Sequence, residues 1–556
     1  MIKPSAAAIV ELHKMVALPA PSFIDRLSGP AGLVVNSPIP AERTPLEVAL
    51  DALVQIGDWR ALPYLTWLLA VDDARRVTLA AIRALMPRNC DALRRLDEGA
   101  REAGYTCPGW WPQGKPFPWP RRLDDRDALA MVHEAAGDAV TAGFLSFLPN
   151  GHAREAAVRA LAACNDGREL PFLLLRVNDW VEPVSRYALR ACSARLRAGY
   201  ERHFASSLLL VARLREQRRW DHVAFVDLVE RFLSETDDGR RAVLDGFQGD
   251  LLLRRVAADL VSRRFPVGAQ LVEQLFGRLD DGDSVVRSRM VDAVARLASD
   301  GEVQRLIQRT IGDHSASIRR RAFAVAEARM PALADELAPQ LIFDRNAWLR
   351  EFARQRLQKL LGVADFADRY RNAITSGVEI EGALLGLMET GSPKDAPWVA
   401  PLIDMGSSRV RRAALRAATS LDSEKAGSIL VKAVASPRPG LSHAAAVGIV
   451  NGRAFVSAEE LDRLLGADDP HVRRNVLRVL AARDPWTALV GALRLRSDRD
   501  EQVAHAARVV LEKWRRLPVA LYVQPSSGQR SEITRMITDL DDFPEVRTTL
   551  EQLLHA

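Results

Sequence analysis

Residues 467–485, ADDPHVRRNVLRVLAARDP, set Val472, Val476, Val479 and Leu480 at the three-and-four spacing of one helix face, with Arg473, Arg474, Arg478 and Arg483 at other azimuths. Asp469-Pro470 predicts the helix start, the Asp carboxylate capping free amides and the Pro pre-set for the first turn. Asp484-Pro485 predicts its end, because proline disfavours helix in the residue before it. With Arg473 as anchor, the pattern recurs at Ser442, Arg411, Glu381, Arg350, Arg319 and Arg287 upstream and at Ala504 downstream, in steps of 30 to 32 residues. A second apolar stretch of helical period precedes each anchored one, as in the runs that open at Glu302, Ala396, Ala458 and Trp486. A helix-turn-helix unit repeated every 31 residues or so predicts an all-α fold, an α-solenoid in which no unit buries its apolar face alone.

The second helices carry Val472-Arg473, Val286-Arg287, Ile318-Arg319, Leu349-Arg350 and Val410-Arg411, several of them a few residues after an Asp and followed by an Ala-rich apolar stripe. This resembles the HEAT-repeat family, and the short period is similar to the compact bacterial subtype of the bilin lyases. The pattern departs from the family at Glu381, Ser442 and Ala504, so the arginine row is interrupted. The resemblance implies a surface for partner proteins. HEAT-like DNA glycosylases and deoxyhypusine hydroxylases are the enzymatic members to weigh against it.

Along the chain, residues 1–45 read as an N-terminal helix and a Pro-rich arm, and 46–99 as the first repeats. Residues 100–122 form a Pro/Trp-rich insert that cannot be regular helix, with Trp110, Trp111 and Trp119 among five prolines. Residues 123–249 hold irregular repeats anchored at Arg154 and Ser185, and the step of 69 from Ser185 to Arg254 leaves room for one degenerate unit. Residues 250–516 are the regular array, and 517–556 read as a terminal cap.

Composition narrows the chemistry. Net charge is +6, and 69 of the 77 basic residues are Arg. Bidentate pairing between repeats accounts for the anchor arginines as structural groups. Arg320, Arg321, Arg412, Arg416, Arg474 and Arg478 fall at offsets expected to face solvent, as does Arg289. Between Met405 and Arg483, 13 basic residues stand against 7 acidic, an excess suited to an acidic protein or to phosphates. With Trp110, Trp111 and Trp119, these arginines are the candidate partner-binding residues.

Cys90, Cys107, Cys164 and Cys192 have neither disulfide nor zinc-ligand spacing and are expected as buried free thiols. Gly-rich phosphate loops and a nucleophile elbow are missing, and the one His-Glu pair, His133-Glu134, falls short of the several that an iron-binding hydroxylase needs. Trp180, Trp348, Trp398, Trp486 and Trp514 occupy unlike repeat positions and are expected in packing rather than in a glycosylase groove. The N-terminal apolar run is broken by Glu11, His13 and Lys14, and no stretch reaches the ~20 apolar residues of a membrane helix. The sequence therefore predicts a non-enzymatic cytoplasmic scaffold without cofactor or metal, bound to an acidic protein partner. A nucleic-acid-binding or glycosylase-like protein with a basic groove is the alternative.

Overall fold

Local signals set the helix ends. Pro470 occupies the first turn of the helix Pro470–Ala481, while the side chain of Asp469, at the cap position, makes no capping hydrogen bond. Asp484 does cap, accepting from the amides of Trp486 and Thr487 at the start of Pro485–Leu495. Ser457 and Glu460 close a reciprocal capping box ahead of Ala458–Leu465. The structure is a computed structural model that describes residues 4–17, 44–103, 125–266, 268–362, 365–516, 524–537 and 543–555. Every regular element among the described residues is helical. Most of the Pro/Trp-rich insert, with Trp110, Trp111 and Trp119, lies outside the described residues, as does Cys107.

The chain forms two units that divide between Ala322 and Phe323, each an all-α solenoid. In the second unit the anchored helices are Ala347–Leu361, Ile380–Thr390, Ser408–Leu421, Pro439–Val450, Pro470–Ala481 and Glu501–Arg515. From Ile380 onward these five pack on one another in series, and shorter helices such as Ala426–Val434, Ala458–Leu465 and Pro485–Leu495 pack behind them. Val472, Val476, Val479 and Leu480 are all buried, and Trp486 meets Trp514 edge-to-face at 5.6 Å in the same core. The helices Ser527–Ile537 and Pro544–His555 place Ile533, Val546 and Leu550 in that core, covering the last repeat.

The first unit departs from strict series. Four helices, Glu201–Ser206, Leu208–Leu214, Val223–Glu235 and Asp237–Asp245, occupy the degenerate stretch. Helix Cys90–Ala103 packs against both Leu170–Arg176 and Leu208–Leu214, and Cys90 Sγ donates to the carbonyl of Ser206 at 3.5 Å. Asp97 on that helix pairs with the fully buried Arg176, which also meets Asp179 at 3.1 Å.

One polar device joins successive repeats in both units. Arg287 forks onto Asp313, with Nε and Nη2 each 3.0 Å from a carboxylate oxygen, while its Nη1 donates to the carbonyl of Asp281 at 2.7 Å. Arg154 repeats the arrangement on Asp179 at 3.0 and 3.1 Å, and Arg473 on Asp498 at 2.7 and 2.6 Å. Each carboxylate also accepts the amide two residues on, fixing the turn before its own second helix. A guanidinium buried this deeply needs its fork and its carbonyl partner together, since either charge left alone would be costly.

Where the anchor or its acid changes, the bond is rebuilt differently. The position six residues before Glu381 is Thr375, and Arg350 forks instead onto Glu389. Ser185 and Ser442 donate their hydroxyls to the carbonyls of Val177 and Val434 at 2.6 and 2.7 Å, and Ser442 accepts from Asn475 at 2.9 Å. The position six residues before Ser442 is Ser436, so Arg411 is offered no Asp at the matching place in the next repeat. Its Nη1 donates to the carbonyl of Gly406.

Close helix spacing depends on glycine at Gly382 and Gly386. A Cβ at Gly382 would lie 1.8 Å from the carbonyl oxygen of Phe343, and one at Gly386 would lie 2.2 Å from the Tyr370 ring. Gly440 is exposed in helix Pro439–Val450 with no neighbour within reach. Gly382→Ala should therefore destabilise the protein by about 2 kcal/mol through overpacking, whereas Gly440→Ala should stabilise it by up to about 1 kcal/mol through helix propensity. Urea midpoints measured on both variants check the opposite signs.

The forks also set an acid limit. Hydrogen bonding from Arg473 holds Asp498 below the usual carboxylate range. Burial alone would raise Asp313, but the Arg287 fork and the Ser315 amide outweigh it and hold it low as well. Asp283, paired with Arg255, is brought down to about 2. Carboxylates depressed in the folded state protonate first in the unfolded chain, so the stability they contribute is complete above about pH 4 and is lost as pH falls toward 2. Denaturant titrations across that interval should show the fall. Asp498→Asn should lower stability at neutral pH by about 3 kcal/mol and reduce the acid-dependent loss.

Candidate functional site: an arginine pocket in the second unit

Helix Ser408–Leu421 begins with the Ser407 hydroxyl accepting from the Val410 amide, which fixes the azimuth of the helix that the cap opens. Arg409, Arg412 and Arg416, at i, i+3 and i+7, share one stripe along the exposed side of this helix. The preceding second helix adds Glu381 and Leu385, and the following one adds His443, Ala444, Val447 and Gly448. Gly452 takes a left-handed φ of 71° and turns the chain, and the Arg453 amide donates back to the Gly448 carbonyl at 3.1 Å. Arg453 crosses the open face of Gly448, where an added Cβ would lie 3.6 Å from its Cδ. These groups line a pocket of about 360 Å³.

Its charge is uncompensated. Arg412 Nε donates to the Ser408 carbonyl at 3.1 Å, yet none of Arg409, Arg412, Arg416 or Arg453 pairs with a carboxylate among the described residues. Glu381, the acid in the wall, is engaged by Arg345 at 3.1 Å. Partial burial, and then the nearby Arg416 charge, pull the Arg453 guanidinium below its ordinary value. Guanidiniums stay charged, so two cations from different elements face one space without an anion between them.

Elsewhere arginines are widely tied. Arg215, Arg263 and Arg264 converge on Glu230, and Arg354 bridges Glu351 and Glu389. A larger cavity of about 800 Å³ in the first unit holds Arg240 and Arg241, paired with Asp237 and Asp238.

Of the arginines singled out in sequence, Arg412 and Arg416 lie together in the pocket. Arg478 reaches its edge by donating to His443 Nδ1 at 2.7 Å, which makes that nitrogen the acceptor and puts the ring proton on Nε2. Arg474 is half-buried and donates to Gln502 at 2.8 Å rather than standing free. Arg289 is likewise half-buried, 3.2 Å from Asp259. Arg320 and Arg321 belong to the other unit, where Arg321 forks onto Asp292.

Arg409, His443 and Arg453 complete the site although sequence reasoning passed over them. Arg409 could have been found as the residue three before Arg412, but Arg453 sits in a turn with no periodicity to betray it. Trp486 and Trp514 are core residues, and Trp348 stacks on Phe352 at 4.0 Å. Trp180 and Trp398 depart from the packing expected of them: both are exposed, and Trp180 lies over the Arg154 guanidinium at 5.5 Å.

Among the described residues no three His, Cys, Asp or Glu side chains are grouped to hold a metal ion, and no helix is long and apolar enough to cross a membrane. Cys90, Cys164 and Cys192 are buried free thiols, and burial pushes Cys90 up to about 11, far from a reactive thiolate.

No family model matches the chain, and no curated protein matches it. Solved structures do. A chain from the structure of Kap95p with RanGDP is similar at 11% identity and a TM-score of 0.32, over 84% of this chain and 66% of that one. The karyopherin Kap121p bound to the SUMO protease Ulp1p is similar at 14% identity and a TM-score of 0.28, over 98% of this chain and 56% of that one. Kap121p bound to Pho4p gives 14% identity and a TM-score of 0.26 over the same shares. The chain thus spans between about half and two thirds of the length of these chains.

Proposed function

We propose that this protein is a non-enzymatic scaffold that binds an acidic segment of a partner protein on the second-helix face between residues 380 and 481. The observation that carries this reading is the set of four arginines, Arg409, Arg412, Arg416 and Arg453, without a carboxylate partner among the described residues. In a chain where a guanidinium is so often matched to an acid, an unmatched cluster supports an anionic ligand. The exposed Phe455, 86% accessible and two residues beyond Arg453, gives the same turn an apolar contact for a protein surface.

The basic surface is an island. Upstream in the same unit, Glu351 and Gln355 stand at the positions of Arg412 and Arg416, and in Ile380–Thr390 those positions are the buried Gly382 and Gly386. Downstream the two positions are His443 and Val447, then Arg474 and Arg478, and in the last repeat His505 and Val509, so the basic surface ends there. A nucleic-acid backbone calls for phosphate contacts that continue along a groove, which this interruption disfavours.

The test is fluorescence anisotropy with an Asp/Glu-rich peptide and a mixed-sequence single-stranded oligonucleotide over a salt series. The expected result is saturable peptide binding that the triple change Arg409→Glu, Arg412→Glu and Arg416→Glu abolishes, with the thermal midpoint nearly unaltered because these side chains are exposed. Tight oligonucleotide binding, falling linearly in log salt, together with no peptide binding would contradict the reading.

A further inference from the structure

We infer that the arginine pocket takes the phosphate monoester of a phosphorylated serine or threonine on the partner segment. The inference rests on the scaffold reading above and names the group that the site recognises. Arg412 and Arg416 stand one turn apart on one helix, and Arg453 enters from the following turn, so guanidiniums approach a common space from two elements. One carboxylate would neutralise a single cation. A phosphate monoester brings close to two negative charges and three acceptor oxygens, enough to accept from several forks at once. The planar guanidinium fork fits phosphate oxygens in pairs, which an ammonium cannot do, and no lysine lines this pocket.

Size and wall chemistry restrict the ligand further. A volume of about 360 Å³ is at the lower end of small-ligand pockets and suits one phosphorylated side chain rather than a folded element. Leu385, Ala413, Ala444, Val447 and Gly448 offer small apolar contacts for the aliphatic stem of such a residue. No Phe, Tyr or Trp lines the pocket, and the one ring there, His443, is tied to Arg478, so a nucleotide base is offered little stacking surface.

The experiment uses the full-length protein and a degenerate peptide pool with one fixed central residue, prepared as phosphoserine, glutamate and serine forms, with inorganic phosphate and the oligonucleotide as competitors. The phosphoserine pool should bind at least about tenfold more tightly than the glutamate pool and far above the serine pool. Arg416→Gln and Arg453→Gln should each remove about tenfold or more of that affinity at an unchanged thermal midpoint, and Arg453→Lys should restore little of it because the fork is gone. Arg320→Gln, in the other unit, should bind like the unaltered protein. Equal affinity for the phosphoserine and glutamate pools would overturn the phosphate assignment and leave the acidic-scaffold reading standing. Binding of neither pool would overturn both. Displacement of the phosphoserine pool by the oligonucleotide at far lower concentration than by inorganic phosphate would reassign the pocket to nucleic acid.

Discussion

The interaction on which the rest of the structure depends is the buried fork between an anchor arginine and the carboxylate one repeat further on. Apolar stacking alone does not fix register, because Ala, Leu and Val faces can slide with modest change in buried area. The fork can be made in one register, with Nε and Nη2 on the acid and Nη1 on the carbonyl six residues upstream, as Arg154, Arg287 and Arg473 all show. A slipped repeat would strand a buried charge, at a cost of several kcal/mol. The forks thereby hold the second helices in a fixed order, and with them the side chains on the exposed face.

The same device explains where the pocket lies. At Ser436 the repeat lacks its usual Asp, and at Ser442 it lacks its Arg, so hydroxyl and amide bonds to Val434 and Asn475 replace the charged link. Arg411 is left without the Asp that Arg287 and Arg473 enjoy, and Arg409, Arg412 and Arg416 project from the same helix. Removing an acid from the ladder and adding cations beside it create a cavity in which several arginines converge without a carboxylate among the described residues. Local structure tolerates this because the side chains are solvent-exposed, where charge costs little.

Much of this architecture was legible in the sequence because its signals are periodic. Val472, Val476, Val479 and Leu480 announced a helix face, and the anchors announced the repeat and their own structural role. The acid partner was readable as well, since Asp281, Asp313 and Asp498 each sit six residues before an anchor, but the pairing becomes evident only when repeats are stacked. Features set by tertiary contact were not legible. Nothing local told that Asp469 would leave its helix uncapped, that helix Cys90–Ala103 would reach Leu208–Leu214, or that Trp180 and Trp398 would lie exposed. The site divided along the same line: Arg412 and Arg416 follow from helical spacing, whereas Arg453 depends on a glycine turn and His443 on its bond to Arg478.

The proposed division of the arginines, most of them structural and one cluster kept for an anion, is open to direct test. Crystals soaked with tungstate, a heavy tetrahedral dianion, test it directly through anomalous scattering. An anomalous peak is expected among Arg412, Arg416 and Arg453, with none along the forked row of Arg154, Arg287, Arg350 and Arg473. Tungstate seated on the anchor arginines, or scattered over the surface with the pocket empty, would contradict it.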